Sequence, residues 1–317
     1  MCYYQNIAKV ILPITLFILI SYRYIYPNLQ VGFYGSSNSS AYVFYAAEDV
    51  YACSAAVNIH LLRTTLHTKH RIIVFTSPDI SKEYIDIFQA LDVTIIEEQP
   101  IPLHNDSVPY YAGCLLKLAA FRMHEIDPTV RRILTLDSDQ LILKNLDHLF
   151  RLPSTPFLAP AAYWIDKDFL TSALMLIEPN PTQWDRVREV ISDPKPDQYD
   201  MDIINNLFGH LPDRLSGKYV TLNSHWEDRN LPSWFNPSHE GGNDTATSEL
   251  ALNQDLDNLY HHEAQVVHFT AVGKPWMFPT QELREAKKNA HPILFEQWET
   301  WRSLAAGICP GGLINQV

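Results

Sequence analysis

Two aspartates, Asp137 and Asp139, have the residue type and the spacing to hold a cation. They close the run Arg132-Ile133-Leu134-Thr135-Leu136, which reads as a buried strand, and Gln140-Leu141-Ile142-Leu143 follows them. Acids at the end of such a strand serve no packing purpose. In an extended chain residues i and i+2 point the same way, so the two carboxylates converge. Paired carboxylate oxygens suit one hard divalent ion. An ion held this way clamps a diphosphate and neutralises the charge that builds as it leaves. Cleaving the sugar–phosphate bond of a nucleotide sugar requires that chemistry. The same spacing recurs at Asp166/Asp168, Asp200/Asp202 and Asp255/Asp257. Those pairs read as solvated turn or helix-end acids, because only Asp137/Asp139 has apolar runs on both sides.

A second motif, His268-Phe269-Thr270-Ala271-Val272-Gly273-Lys274-Pro275-Trp276, follows the short strand-like run Gln265–Val267. A neutral imidazole at a strand end completes an O/O/N ligand set begun by two carboxylates. Gly273 lets the backbone approach a ligand closely. Lys274 supplies a point charge suited to a phosphate, and Pro275 and Trp276 fix and bury the turn. Alone, His268 reads as a satisfied core histidine and Lys274 as a surface charge; beside Asp137 and Asp139 both readings weaken.

The elements that must position these groups alternate between strand-like and helix-like runs. Strands are predicted at 41–46, 71–76, 92–96 and 132–136, with helices at 50–66, 81–90 (Ser81 as N-cap) and 113–124 between them. Such alternation argues for right-handed βαβ units and a parallel sheet covered on both faces. Ligands of such sheets bind at the carboxyl ends of the strands, where Asp137 falls. The second half predicts a strand at 170–177, helices at 181–191 and 200–208, a polar insertion at 233–250 and a late strand at 265–269.

The 317 residues, 46% hydrophobic and with a net charge of −12, can bury a sizeable core in one large or two small domains. Such acidity excludes a nucleic-acid surface, which needs a basic patch or stripe. It also means that an anionic donor must be met by a metal or by placed lysines.

At these residues the chain resembles the glycogenin-like family 8 glycosyltransferases from Ala41 to about Trp301, in the family's motif order. The resemblance implies a GT-A-type α/β fold, with a mostly parallel central sheet flanked by helices. It implies Asp137, Asp139 and His268 as ligands of Mn²⁺ or Mg²⁺, Gly273 and Lys274 as the grip on the diphosphate, and Tyr51 against the base of a UDP-sugar. Lys117, in Leu115-Leu116-Lys117-Leu118, is similar to a family lysine that reaches the donor. Asp200 matches the carboxylate near the anomeric carbon, as transient nucleophile or electrostatic stabiliser, while a helix N-cap role is equally open to it. The family retains the anomeric configuration.

Departures cluster at the nucleoside and sugar pockets. Ala46-Ala47-Glu48 stands where the family has Thr-Thr-Asn, Thr171-Ser172-Ala173 where it has Asn-Ser-Gly, and Asp200-Met201-Asp202 where it has Asp-Gln-Gly. Ser172 is the hydroxyl left to line the donor. N-acetylglucosaminyl or hexosyl transfer to a glycan therefore competes with galactosyl transfer to a polyol, as in the galactinol synthases. Outside that class, a non-catalytic nucleotide-sugar-binding protein keeps the same residues. A sugar nucleotidyltransferase needs a glycine-rich loop that Ala46-Ala47-Glu48-Asp49 lacks.

Residues 10–20 form an apolar run between Lys9 and Arg23, short of the roughly 20 residues of a typical membrane span. Tyrosine-rich residues follow with no small-x-small cleavage site, which favours a retained type II signal anchor. The expected organisation is a cytosolic tail, anchor and stem over 1–40, a transferase domain over 41–309 and a tail over 310–317, lumenal in the Golgi or another secretory membrane. Sequons at Asn38, Asn105 and Asn243 agree with that placement. Cys53, Cys114 and Cys309 permit one bridge among themselves, Cys2 lies on the cytosolic side, and no Cys/His spacing suits zinc.

Overall fold

The computed structural model describes residues 39–237, 245–270 and 272–311, all within a compact unit spanning Ser36–Val317. The apolar run at 10–20, Cys2, Asn38, Asn243 and Ala271 lie outside the described residues.

The chain opens with strand β1 (Ser40–Ala46), helix α1 (Asp49–His60), β2 (Arg71–Thr76), helix α2 (Lys82–Ala90) and β3 (Thr94–Glu97). A 3-10 helix, Cys114–Arg122, leads to β4 (Arg132–Leu136), β5 (Gln140–Ile142), β6 (Phe157–Leu158) and β7 (Leu174–Ile177). Then come helices α3 (Pro181–Ile191) and α4 (Asp200–Phe208), strand β8 (Thr221–Leu222), helix α5 (Thr245–Asn258), strand β9 (Val266–His268) and the terminal helix α6 (Pro292–Ile308).

The main sheet has the order β3-β2-β1-β4-β7-β6. Its first four strands are parallel, in the βαβ arrangement that their alternation with helices predicts. The parallel arrangement ends at β7, which pairs antiparallel to β4 and to β6, so the sheet is mixed. A second, three-stranded sheet, β5-β9-β8, was not foreseen. Its strands are two or three residues long, too short to leave a periodic signal.

Period-2 alternation splits the core into two layers. Tyr42, Phe44 and Ala46 face one hydrophobic cluster, and Ala41 and Val43 face the other. Strand β1 is therefore apolar on both faces, as a central parallel strand must be. Helix α1 is buried from Ala52 to Ile59, and its small residues let it lie close between the sheet and α6. A disulfide between Cys53 and Cys309 joins α1 to the end of α6, and Cys114 is the free cysteine among the described residues.

Several expected spans shift. The strand predicted over 170–177 begins at Leu174, which leaves Thr171, Ser172 and Ala173 as a loop under the cleft. The polar insertion turns out helical from Thr245. Ser81 occupies the N-cap position of α2 without a side-chain capping bond.

Candidate active site

An open cleft of about 380 Å³ lies over the carboxyl ends of β1 and β4, and Asp137, Asp139, Lys117, Asp200, His268 and Lys274 all line it. Asp137 is the first residue after β4, and its N–H still donates to the Ala173 carbonyl at 3.0 Å. The chain then leaves one sheet for the other. Gln140 opens β5 opposite His268 of β9, and Phe269 N–H donates to the Asp139 carbonyl at 3.1 Å. That antiparallel pairing brings together Asp139 and His268, residues distant in sequence.

One ligand atom each from Asp137, Asp139 and His268 lies within 4.8 Å of the others. The His268 Nδ1 is buried, stands 3.6 Å from the Asp139 carboxylate and has no hydrogen-bond partner. An orphaned ring nitrogen facing two carboxylates fits a divalent cation with mixed O/O/N ligands. Burial pushes the imidazole down to about 4, so it is neutral and able to ligate at physiological pH. The other Asp-x-Asp pairs do other work. Asp166 and Asp168 are exposed in a turn, and the Asp202 carboxylate accepts from Tyr199 N–H at the start of α4.

The lysines are committed to the carboxylates. Lys117, 3% exposed, sits 2.5 Å from Asp137 and 2.6 Å from Asp200. Lys274 sits 2.5 Å from Asp139 and also donates to the Phe269 carbonyl. Burial raises Asp137 to about 6 against the opposing pull of Lys117. Burial also works to raise Asp139 and Asp200. His268 and Lys274 outweigh it at Asp139, and Lys117 outweighs it at Asp200, so both are held below the usual carboxylate range.

Asp200 is the first residue of α4 rather than its cap; Tyr199 takes the N-cap position. The N-cap reading of Asp200 is thereby corrected. Its carboxylate is buried and accepts from Ser172 Oγ at 2.5 Å, which places Ser172 under Asp200. Lys117, expected to reach the donor, lines the cleft and bridges its Asp137 and Asp200 ends. Gly273 does not line the cleft. It adopts φ +106°, and a Cβ there would lie 3.1 Å from the Phe278 ring, so the glycine serves the turn that carries Lys274. Tyr51 also lines the cleft, its ring edge-on to Trp276 with centroids 5.8 Å apart.

Sequence reasoning missed Tyr45, whose hydroxyl donates to Asp137 at 3.0 Å and whose ring lies 5.1 Å from the Lys117 ammonium. It is the penultimate residue of β1, so its place near a strand terminus was the available signal. Cys114, Met201, Tyr111 and Trp164 also line the cleft. They come from three separate segments and carried no common pattern.

No protein-family model matches the chain. It is 28% identical over 258 residues to Glucose N-acetyltransferase 1 of Gibberella zeae, covering 75% of this chain and 53% of that protein. It is 24% identical over 293 residues to Galactinol synthase 3 of Arabidopsis thaliana, covering 84% and 82%. The chain thus spans about half the length of the Gibberella relative. Among solved structures, the galactosyltransferase LgtC with donor and acceptor sugar analogues superposes with a TM-score of 0.58 at 15% identity. That superposition covers 87% of this chain and all of LgtC. Sequence and fold point the same way: the chain resembles the family 8-like glycosyltransferases and has a GT-A-like fold.

Proposed function

We propose that this protein is a metal-dependent retaining glycosyltransferase that moves a sugar from a UDP-sugar to an acceptor hydroxyl. The observation that carries the reading is the convergence of Asp137, Asp139 and the unpartnered His268 nitrogen beside Lys274. Those three residues would hold Mn²⁺ or Mg²⁺, which would supply Lewis-acid stabilisation to the departing diphosphate. Lys274 adds a positive charge on the diphosphate side. Tyr51 offers an aromatic face to the base. Lys117 and Ser172 hold Asp200 ionised and fixed, as either role near the anomeric carbon requires. Taken at its words, the name of the fungal relative describes acetyl transfer. A carboxylate–imidazole cation site beside a lysine answers to a diphosphate leaving group, which favours the glycosyl reading.

The donor is a UDP-N-acetylhexosamine or UDP-hexose and the acceptor a glycan or a small polyol. The body is lumenal on an N-terminal type II anchor. The buried Cys53–Cys309 pairing suits an oxidising compartment, and Asn105 is exposed in a turn as an acceptor site must be. No helix among the described residues is long and apolar enough to cross a membrane.

Screening the purified chain against a panel of UDP-sugars with Mn²⁺, then with EDTA, tests the chemistry. Release of UDP that stops in chelator and returns with Mn²⁺ is expected, and full turnover in chelator refutes the metal role. For the location, endoglycosidase treatment should shift the mobility of membrane-pelleted protein. A soluble, unglycosylated cytosolic chain refutes it.

A further inference from the structure

Both halves of the cation site are buttressed by one element that takes no part in lining it, the terminal helix α6. On the Asp-x-Asp side, Trp301 Nε1 donates to Ser54 Oγ at 3.0 Å, and Ser54 Oγ donates to the Ser138 carbonyl at 2.5 Å. Ser138 is the residue between the two aspartates. Trp301, Ser54 and Ser138 are essentially sealed from solvent, so the relay has no water to compete with it. One turn of α1 further on, Asn58 Nδ2 donates to the Gln140 carbonyl at 2.7 Å and its Oδ1 accepts from Ile142 N–H at 2.9 Å, which fixes the far side of the same bend.

On the His-to-Lys side, Arg302 Nη1 donates to the carbonyls of Pro275 and Phe278 at 2.8 and 3.2 Å. Trp298 Nε1 donates to the Phe278 carbonyl at 3.2 Å, and its ring packs against Phe269 and Phe278. These contacts close the turn that presents Lys274. The Trp301 ring also meets Trp276 at 5.3 Å. The Cys53–Cys309 bridge pins the end of α6 to the residue next to Ser54.

We infer that the disulfide-tied helix α6 is the brace that sets the distance between the two halves of the site, with Trp301 and Arg302 as its positioning residues. The physical need is clear. Asp137 and Asp139 lie in the bend between β4 and β5, and His268 ends β9; β5 and β9 are only three residues long, in a small sheet too short to be rigid by itself. A divalent ion needs its ligands held to a fraction of an ångström. Trp301 governs the carboxylate half and Arg302 the lysine half, so the two variants should fail differently. The inference rests on the reading that Asp137, Asp139 and His268 take a cation and Lys274 a diphosphate.

The test uses the full chain, with Mn²⁺ binding measured by calorimetry without nucleotide and UDP binding measured at saturating Mn²⁺. Trp301→Phe keeps an aromatic ring but removes the N–H along with part of the indole, which is why Ser54→Ala is paired with it. It should weaken Mn²⁺ by up to about tenfold, the worth of one buried hydrogen bond, and leave UDP affinity nearly unchanged. Ser54→Ala reaches the same relay from α1 and should reproduce that loss, which guards against a Trp301 variant that folds poorly. Arg302→Met should weaken UDP by a similar factor with Mn²⁺ nearly unchanged, and Arg302→Lys should recover part of it. Wild-type affinities in Trp301→Phe and Ser54→Ala, or equal loss of both ligands in every variant, overturn the brace. A wild-type chain that binds no Mn²⁺ refutes the underlying cation site, and the brace with it, in a way that the variants alone do not.

Discussion

Replacing Lys117 with methionine should unsettle the empty site and leave it newly dependent on a cation. Lys117 lies between Asp137 and Asp200 at 2.5 and 2.6 Å, and the side chains are only 2%, 13% and 12% exposed. Solvent therefore screens the cluster little. Three carboxylates, Asp137, Asp139 and Asp200, face two ammonium groups, Lys117 and Lys274, and a neutral His268; the cluster carries a net charge of −1. Methionine fills the space of the lysine stem but takes the cluster to −2. Removing one partner of a buried ion pair costs about 3–5 kcal/mol. At about 2–4 °C per kcal/mol for a domain of this size class, Tm should fall by about 10 °C in chelator. A divalent ion restores the lost charge, so Mn²⁺ should raise Tm more in Lys117→Met than in the wild type. Differential scanning fluorimetry of both proteins, with EDTA and then with excess Mn²⁺, measures the two shifts. A variant as stable as wild type in EDTA, or Mn²⁺ shifts of equal size, would refute the reasoning.

Three further outcomes are expected. Mn²⁺ affinity should rise about tenfold per pH unit up to about pH 6 and flatten above it, because the ion must displace the proton held on Asp137, while His268 is already neutral above about 4. The two groups act on stability with opposite signs: His268, depressed, adds stability that is lost as pH falls from about 6.5 to 4, while Asp137, raised, adds stability that is lost as pH rises through about 6. Calorimetric metal titration is therefore the measurement, and an affinity flat from pH 5 to 7.5 would count against the assignment. Lys274→Ala should weaken UDP about tenfold to a hundredfold, for a charge-assisted bond of about 1.5–3 kcal/mol, whereas Asp200→Asn should bind UDP normally and lose transfer. Equal loss of UDP binding in both would make Asp200 structural. Gly273→Ala should destabilise by about 1–2 kcal/mol, read from denaturant midpoints, since its φ of +106° is one that L side chains rarely adopt. An unchanged midpoint would mean that the turn relaxes freely.

The βαβ half of the fold was legible in the sequence because its signals are local. Buried parallel strands read as apolar runs, and Arg71–Thr76, Arg132–Leu136, Pro181–Ile191 and Asp200–Phe208 lie where patterning puts them. The cation ligands were legible as residue types at strand ends, where packing gives no reason for an acid. The nature of each partnership was not legible. Whether Lys117 reaches a donor or bridges Asp137 and Asp200 depends on burial, and burial is a property of the assembled molecule. That Gly273 serves its turn and not the cleft depends on where Phe278 packs.

The sequence by itself determined which side chains are available: two carboxylates in an extended chain, an imidazole after an apolar run, and a lysine after a glycine. Only the tertiary structure decided that they meet. Pairing of β5 with β9 lays His268 against the residue after Asp139, and strands that short carry too little periodicity to predict a partner. The same holds for the helix that braces them. Trp301 and Arg302 carry no signal of their own, and Cys309 is one of three candidates for a bridge, until the fold sets Trp301 against Ser54, Arg302 against Pro275 and Cys309 against Cys53. Local propensity follows from neighbours along the chain, whereas a site of this kind is a set of long-range distances, fixed by the packing of elements that are far apart in sequence.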